Sequence, residues 1–99
     1  MKNQSTQEIP LSFSRVVAME KQKTGEGKEL TTMLIRTEEK ARVYYSIAVH
    51  VYPCEDMESD TRIISDIVSG EQDAAEIFRK IVRGGVLPYN LDEVLSDML

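Results

Sequence analysis

Apolar and polar positions alternate with a period of two through the first half of the chain and shift to a helical period in the last third. Leu11, Phe13, Arg15, Val17 and Met19 fall on one strand face, with Ser12, Ser14, Val16, Ala18 and Glu20 on the other. Lys23-Thr24-Gly25-Glu26-Gly27-Lys28 then reads as a hairpin connection, its two glycines able to take positive φ. A second strand is expected from about Glu29 to Arg36, followed by a turn at Glu38-Glu39-Lys40-Ala41. Arg42 to Tyr52 is dense in β-branched and aromatic residues and is the clearest strand. Val43, Tyr45, Ile47, Val49 and Val51 make a nearly unbroken apolar face, while Tyr44, Ser46, Ala48, His50 and Tyr52 make a mixed one. Pro53 ends this strand because it has no N–H to give to a ladder. Thr61 to Val68 is a candidate fourth strand, although Arg62-Ile63-Ile64-Ser65-Asp66-Ile67-Val68 fits neither period cleanly.

Ser69 followed three residues later by Gln72 has the form of a capping box. Ala74, Ile77, Phe78, Ile81 and Val82 then recur at helical spacing, and Gly84 is placed to stop the helix. Pro88 can open a last short helix with Leu91, Val94, Leu95 and Met98 inward. Such a helix is too short to stand alone and must dock. Strands first and helices last predict an α+β domain: an antiparallel meander of three or four strands with two short C-terminal helices packed on one face. The links between the first three strands are too short for parallel crossovers. Residues 1–10 read as a flexible arm and 11–99 as one domain.

Composition narrows what this domain does. The chain has 99 residues and one cysteine, Cys54, so no internal disulfide framework is available. The net charge is -5, which argues against a mainly electrostatic DNA binder. Residues 1–50 carry a net of +2 and residues 51–99 a net of -7. No apolar run approaches the roughly 18 residues of a membrane span, and the polar N-terminus does not read as a secretory signal, so a cytoplasmic location is expected.

Three stretches over roughly 43–99 stand out: Tyr45-Ser46-Ile47, Asp66-Ile67-Val68-Ser69, and the run from Leu87 to Leu99. Through them the C-terminal half resembles a family of small proteins of clostridia and related Gram-positive bacteria, a domain of unknown function of about this length. Where the family pattern has glycine, aspartate and phenylalanine, this chain has Ser46, Glu93 and Met98. The resemblance implies a bacterial, cytoplasmic protein and brings no activity with it.

Candidate chemistry is sparse. His50 and Cys54 are four apart, but a strand end and Pro53 between them fix no common zinc geometry, so no metal site is assigned. Asp56, Glu58 and Asp60 alternate like hard-cation ligands without the glycine and the closing glutamate of a calcium loop. Cys54 is followed by two acids, which disfavour a reactive thiolate. Gly25-Glu26-Gly27 lies in a hairpin and Gly84-Gly85 follows a helix, so neither cradles a phosphate, and no cofactor is expected. Arg15, Lys21, Lys23, Lys28, Arg36, Lys40 and Arg42, with Tyr44, Tyr45 and Tyr52, leave single-stranded nucleic acid as a disfavoured alternative. A hydrolase-like enzyme using His50 with a nearby carboxylate is the other. The expectation favoured over both is a non-catalytic interaction or regulatory module. It would act through a sheet face or as a homodimer, with Tyr44, Ala48, His50 and Tyr52 as interface candidates and Val16 and Ala18 joining them if register allows.

Overall fold

The computed structural model describes residues 12–52 and 60–99. Four strands follow one another, β1 Ser12–Lys23, β2 Glu29–Glu39, β3 Arg42–Tyr52 and β4 Asp60–Val68. They form one antiparallel sheet in the order β1-β2-β3-β4. Helix α1, Glu71–Gly84, is followed by a 3-10 turn at Pro88–Asn90 and by α2, Leu91–Met98. This is the α+β meander with two helices on one face. The expected arm at 1–10 and the expected acidic loop with Cys54, Asp56 and Glu58 fall on residues outside those described.

Both hairpin turns use left-handed backbone. Gly27 has φ +82°, and the turn closes with the Thr24 amide donating to the Lys28 carbonyl at 2.9 Å. Thr24 Oγ1 accepts the Glu26 and Lys28 amides as well. The β2–β3 turn is tighter, with Lys40 at φ +56° between Glu39 and Arg42.

Period two places Leu30, Thr32 and Leu34 of β2 beside Val51, Val49 and Ile47 of β3 on one face. The helices cover that face. Ala74, Ile77, Phe78 and Ile81 of α1 and Leu91 and Leu95 of α2 are buried against it. Arg62 also projects from this face of β4, and its Nε and a terminal nitrogen reach the Asp92 carboxylate of α2 at 3.1 and 2.6 Å. A bidentate pair of this kind fixes the direction of a short helix.

Two bulges overturn the simple strand periods. At Val17, β1 carries one residue more than β2, so Val16 faces Ile35 while Ala18 faces Leu34. The alternation therefore flips. Met19, expected beside Phe13 and Arg15, stands on the uncovered face with Val16, while Ala18 points to the covered one. In β4 the partners step from Ile64 to Val68 while β3 steps only from Ile47 to Tyr45. Asp66 takes φ +60° there, donating its amide to Ser46 Oγ at 3.2 Å and accepting from Arg42 at 2.5 Å. Ile64, Ile67 and Val68 all consequently pack against the core.

The helix ends also differ from the expected pattern. The N-cap of α1 is Gly70, with no side-chain cap, so Ser69 and Gln72 do not form a capping box. Glu71 and Asp73 in the first turn supply the favourable negative charge instead. Gly84 is still helical, and it is Gly85, at φ +58°, that ends the helix. The Gly85 and Val86 amides return to the Val82 and Ile81 carbonyls at 3.1 and 3.4 Å, a pattern that seats Val86 in the core.

Candidate functional site: the uncovered sheet face

Two short helices cover one side of the four-stranded sheet, and no described element covers the other. Its residues follow from the register. Met19, Met33, Ala48 and Ile63 are consecutive cross-strand partners, one from each strand. They form an apolar row straight across the sheet. Val16, Ile35 and Ser46 form the neighbouring row. Neither of these rows contributes a charge from the first three strands. On one side follow Lys21, Thr31, His50 and Thr61, and on the other Ser14, Thr37 and Tyr44. The face thus has an apolar middle and polar ends, the distribution common to the centre and rim of protein interfaces.

The middle is not flat. Ile63 and Met19 are 53% and 52% exposed, and Val16 is 49% exposed. Ala48, between Met33 and Ile63, is only 1% exposed although no described element lies over it. Ser46 is equally buried, its hydroxyl committed to the Asp66 amide. Small side chains in β3 thus make a trough flanked by larger ones. The structure brings together all four expected interface residues, Tyr44, Ala48, His50 and Tyr52, on this one face of β3. Their parts differ. Ala48 is the floor of the trough, whereas Tyr44, His50 and Tyr52 stand toward its ends. Met19, Met33, Ile35 and Ile63 were not among the expected residues. Met33 and Ile35 were legible, since they share parity with Thr31 and Thr37 in β2. Met19 was concealed by the bulge at Val17, and Ile63 by its apolar neighbour Ile64, since two adjacent isoleucines leave the core face of β4 undecided.

Polar contacts hold the rim in place. His50 Nδ1 and Thr61 Oγ1 are hydrogen-bonded at 2.7 Å. No described Asp or Glu makes an ion pair with His50. The Arg42 guanidinium lies 4.7 Å from the centre of the Tyr44 ring. Ser14 and Thr37 share a hydroxyl–hydroxyl bond of 2.7 Å across β1 and β2. Hydrogen bonds to Glu38, Asp66 and Asp92 raise Arg36, Arg42 and Arg62, respectively, above the ordinary arginine value. All three therefore stay charged at any working pH.

No family model matches the chain, and no curated protein or solved structure matches it.

The basic residues do not gather into one stripe. Arg15 and Arg36 are cross-strand partners on the helix side, where they line a groove of about 400 Å³ with Tyr45, Glu71 and Ala75. Lys21 and Arg42 are on the other side, near opposite ends of the sheet. Arg36 is bound by Glu38, and Lys28 lies 3.7 Å from Glu26. Tyr45 is buried in the core, so it is removed from the set of tyrosines able to stack on bases. Among the described residues no group of three or more His, Cys, Asp or Glu side chains converges as a metal site would require. No described helix is long and apolar enough to cross a membrane.

Proposed function

We propose that the chain is a non-catalytic protein-interaction module that acts through the uncovered face of its sheet. The row Met19–Met33–Ala48–Ile63 is the observation that supports this reading most directly. A half-buried antiparallel sheet ordinarily alternates apolar inward and polar outward. Here the outward side chains at the centre are apolar, and the polar ones are displaced to the ends. Methionines suit such a surface, since their flexible thioethers adapt to a partner's shape. The three rim residues His50, Tyr44 and Tyr52 combine apolar area with a polar tip, as interface residues do.

A photo-crosslinking residue placed at position 63 in the native cell tests this, with the same residue at exposed Arg79 of α1 as the control. Discrete adducts are expected from position 63 and not from 79. They should vanish when Met33→Lys is added, while the melting temperature is kept. Equal labelling from both positions, or none from 63, overturns the proposal. An adduct of twice the chain mass and one of any other defined mass count equally for it.

A further inference from the structure

We infer that the occupant of the uncovered face is a second copy of this chain, packed sheet against sheet about a two-fold axis. That axis runs parallel to the strands, between β2 and β3. The inference rests on the interaction-module reading above and adds the partner and the packing.

A two-fold axis in this position lays β2 of one copy over β3 of the other, and β1 over β4. Each β2 residue then stands over the same β3 residue, in the partner, that it already pairs with in its own chain. The intrachain register therefore gives the contacts directly. Met33 comes over Ala48, and Ile35 over Ser46. The two large β2 side chains at the centre thus meet the two small, buried β3 positions. Met19 comes over Ile63, which joins the two protruding ends of the apolar row. At one end, Glu39 comes over Arg42, so the contact pairs opposite charges. Because the interface is isologous, each of these contacts occurs twice.

Size supports the same partner. Four strands at about 4.8 Å spacing and eleven residues at about 3.4 Å rise give a face of about 700 Å². Two such faces remove about 1,400 Å² from water, within the range of roughly 1,200–2,000 Å² that specific complexes bury. Aligned sheets pack with their strands within about 30° of each other, which preserves the overlay near the axis. A helix laid along the trough would cover β3 and leave Met19 exposed, so it uses less of what the face offers.

The test is to exchange the large and the small position. Sedimentation equilibrium of the full chain at micromolar concentration is expected to give a dimer. Ala48→Met sets methionine against the partner's methionine, and a rise of about tenfold or more in the dissociation constant is expected from overpacking of this kind. The double variant Met33→Ala, Ala48→Met restores large against small and is expected to return to within about threefold of the wild type. In the monomer the two residues are cross-strand neighbours, so the exchange keeps their local volume, and a shared melting temperature shows that folding is intact. A wild-type chain that stays monomeric to about a hundred micromolar overturns the second copy and leaves the module reading to its own crosslinking test. A wild-type dimer that Ala48→Met leaves unaffected, or that the exchange fails to restore, overturns this packing.

Discussion

Thr32 is expected to be a position where a point substitution stabilises the protein. It sits mid-strand in β2 on the covered face, 0% exposed, between buried Leu30 and Leu34 and opposite buried Val49. Its Oγ1 is buried and has no hydrogen-bond partner among the described residues. A hydroxyl removed from water without compensation costs about 1–3 kcal/mol. Thr32→Val replaces that hydroxyl with a methyl of nearly the same shape in a strand that favours valine. The transfer of the added methyl into the core contributes in the same direction. A net gain of about 1–2 kcal/mol is expected, or about 5–10 °C in melting temperature for a chain of this size. Urea denaturation should show the midpoint rising with the slope unchanged, since the surface exposed on unfolding is almost the same. Thr32→Ser, which keeps the hydroxyl and loses the methyl, should lower stability by about 1 kcal/mol. Thr31→Val, half-buried on the other face, should change little. If Thr32→Val melts at or below the wild type, the hydroxyl is hydrogen-bonded in solution and the reasoning fails.

The core, caps and bulge supply further tests. Ile81→Ala removes a fully buried side chain from the centre of α1 and should cost about 2–5 kcal/mol in chemical denaturation. Gly85→Ala meets no atom within 4 Å of the new Cβ, so its expected loss of about 1 kcal/mol by calorimetry is backbone strain alone. Ser69→Ala should stay within about 0.5 kcal/mol of the wild type, because no side-chain cap is lost at the start of α1; a larger drop in helicity by circular dichroism would contradict the Gly70 cap. Ser46→Ala removes the acceptor of the Asp66 amide and should speed hydrogen exchange at Asp66 before any change in the core strands.

Much of the fold was legible because local rules agreed with one another. Val43, Tyr45, Ile47, Val49 and Val51 read as one face, and they are one face. Ala74, Ile77, Phe78 and Ile81 read as a helix stripe, and all four are buried. The misread positions have a common physical origin. A bulge inserts a residue that no periodicity announces, and every side chain beyond it changes face. Val17 did this to Met19 and Ala18, whereas the two extra residues at the Asp66 bulge leave Val68 on the covered face and take Asp66 itself out of the alternation. The capping box failed for a different reason. Gly70 occupies the cap with extended backbone at φ -90°, one residue later than Ser69, so the serine lies outside the helix start.

The bulges also account for the candidate site. With regular alternation in β1, Met19 would share the face of Phe13 and Arg15, and Ala18 would replace it beside Met33. The apolar row would then lose its outermost large side chain and end at β2. With regular alternation beyond Ile64, Ser65 would continue the uncovered face and Asp66 would turn toward the core, away from Arg42. The Asp66 bulge instead keeps that carboxylate at the surface, tied to Arg42 and Ser46. The edge strand β1 is the informative case. It runs for twelve residues with almost every side chain exposed, and Gln22 Nε2 ties it to α1 by donating to the Val82 carbonyl at 3.1 Å. A strand so lightly held contributes little core, and its conformational entropy must still be met. The bulge at Val17 places both Val16 and Met19 on the uncovered face, so β1 gains its main apolar contact only when that face is covered. Covering the face should therefore slow hydrogen exchange in β1 more than in β3, whose amides are already buried between neighbours. Equal protection of the two strands on association would mean that β1 has another anchor.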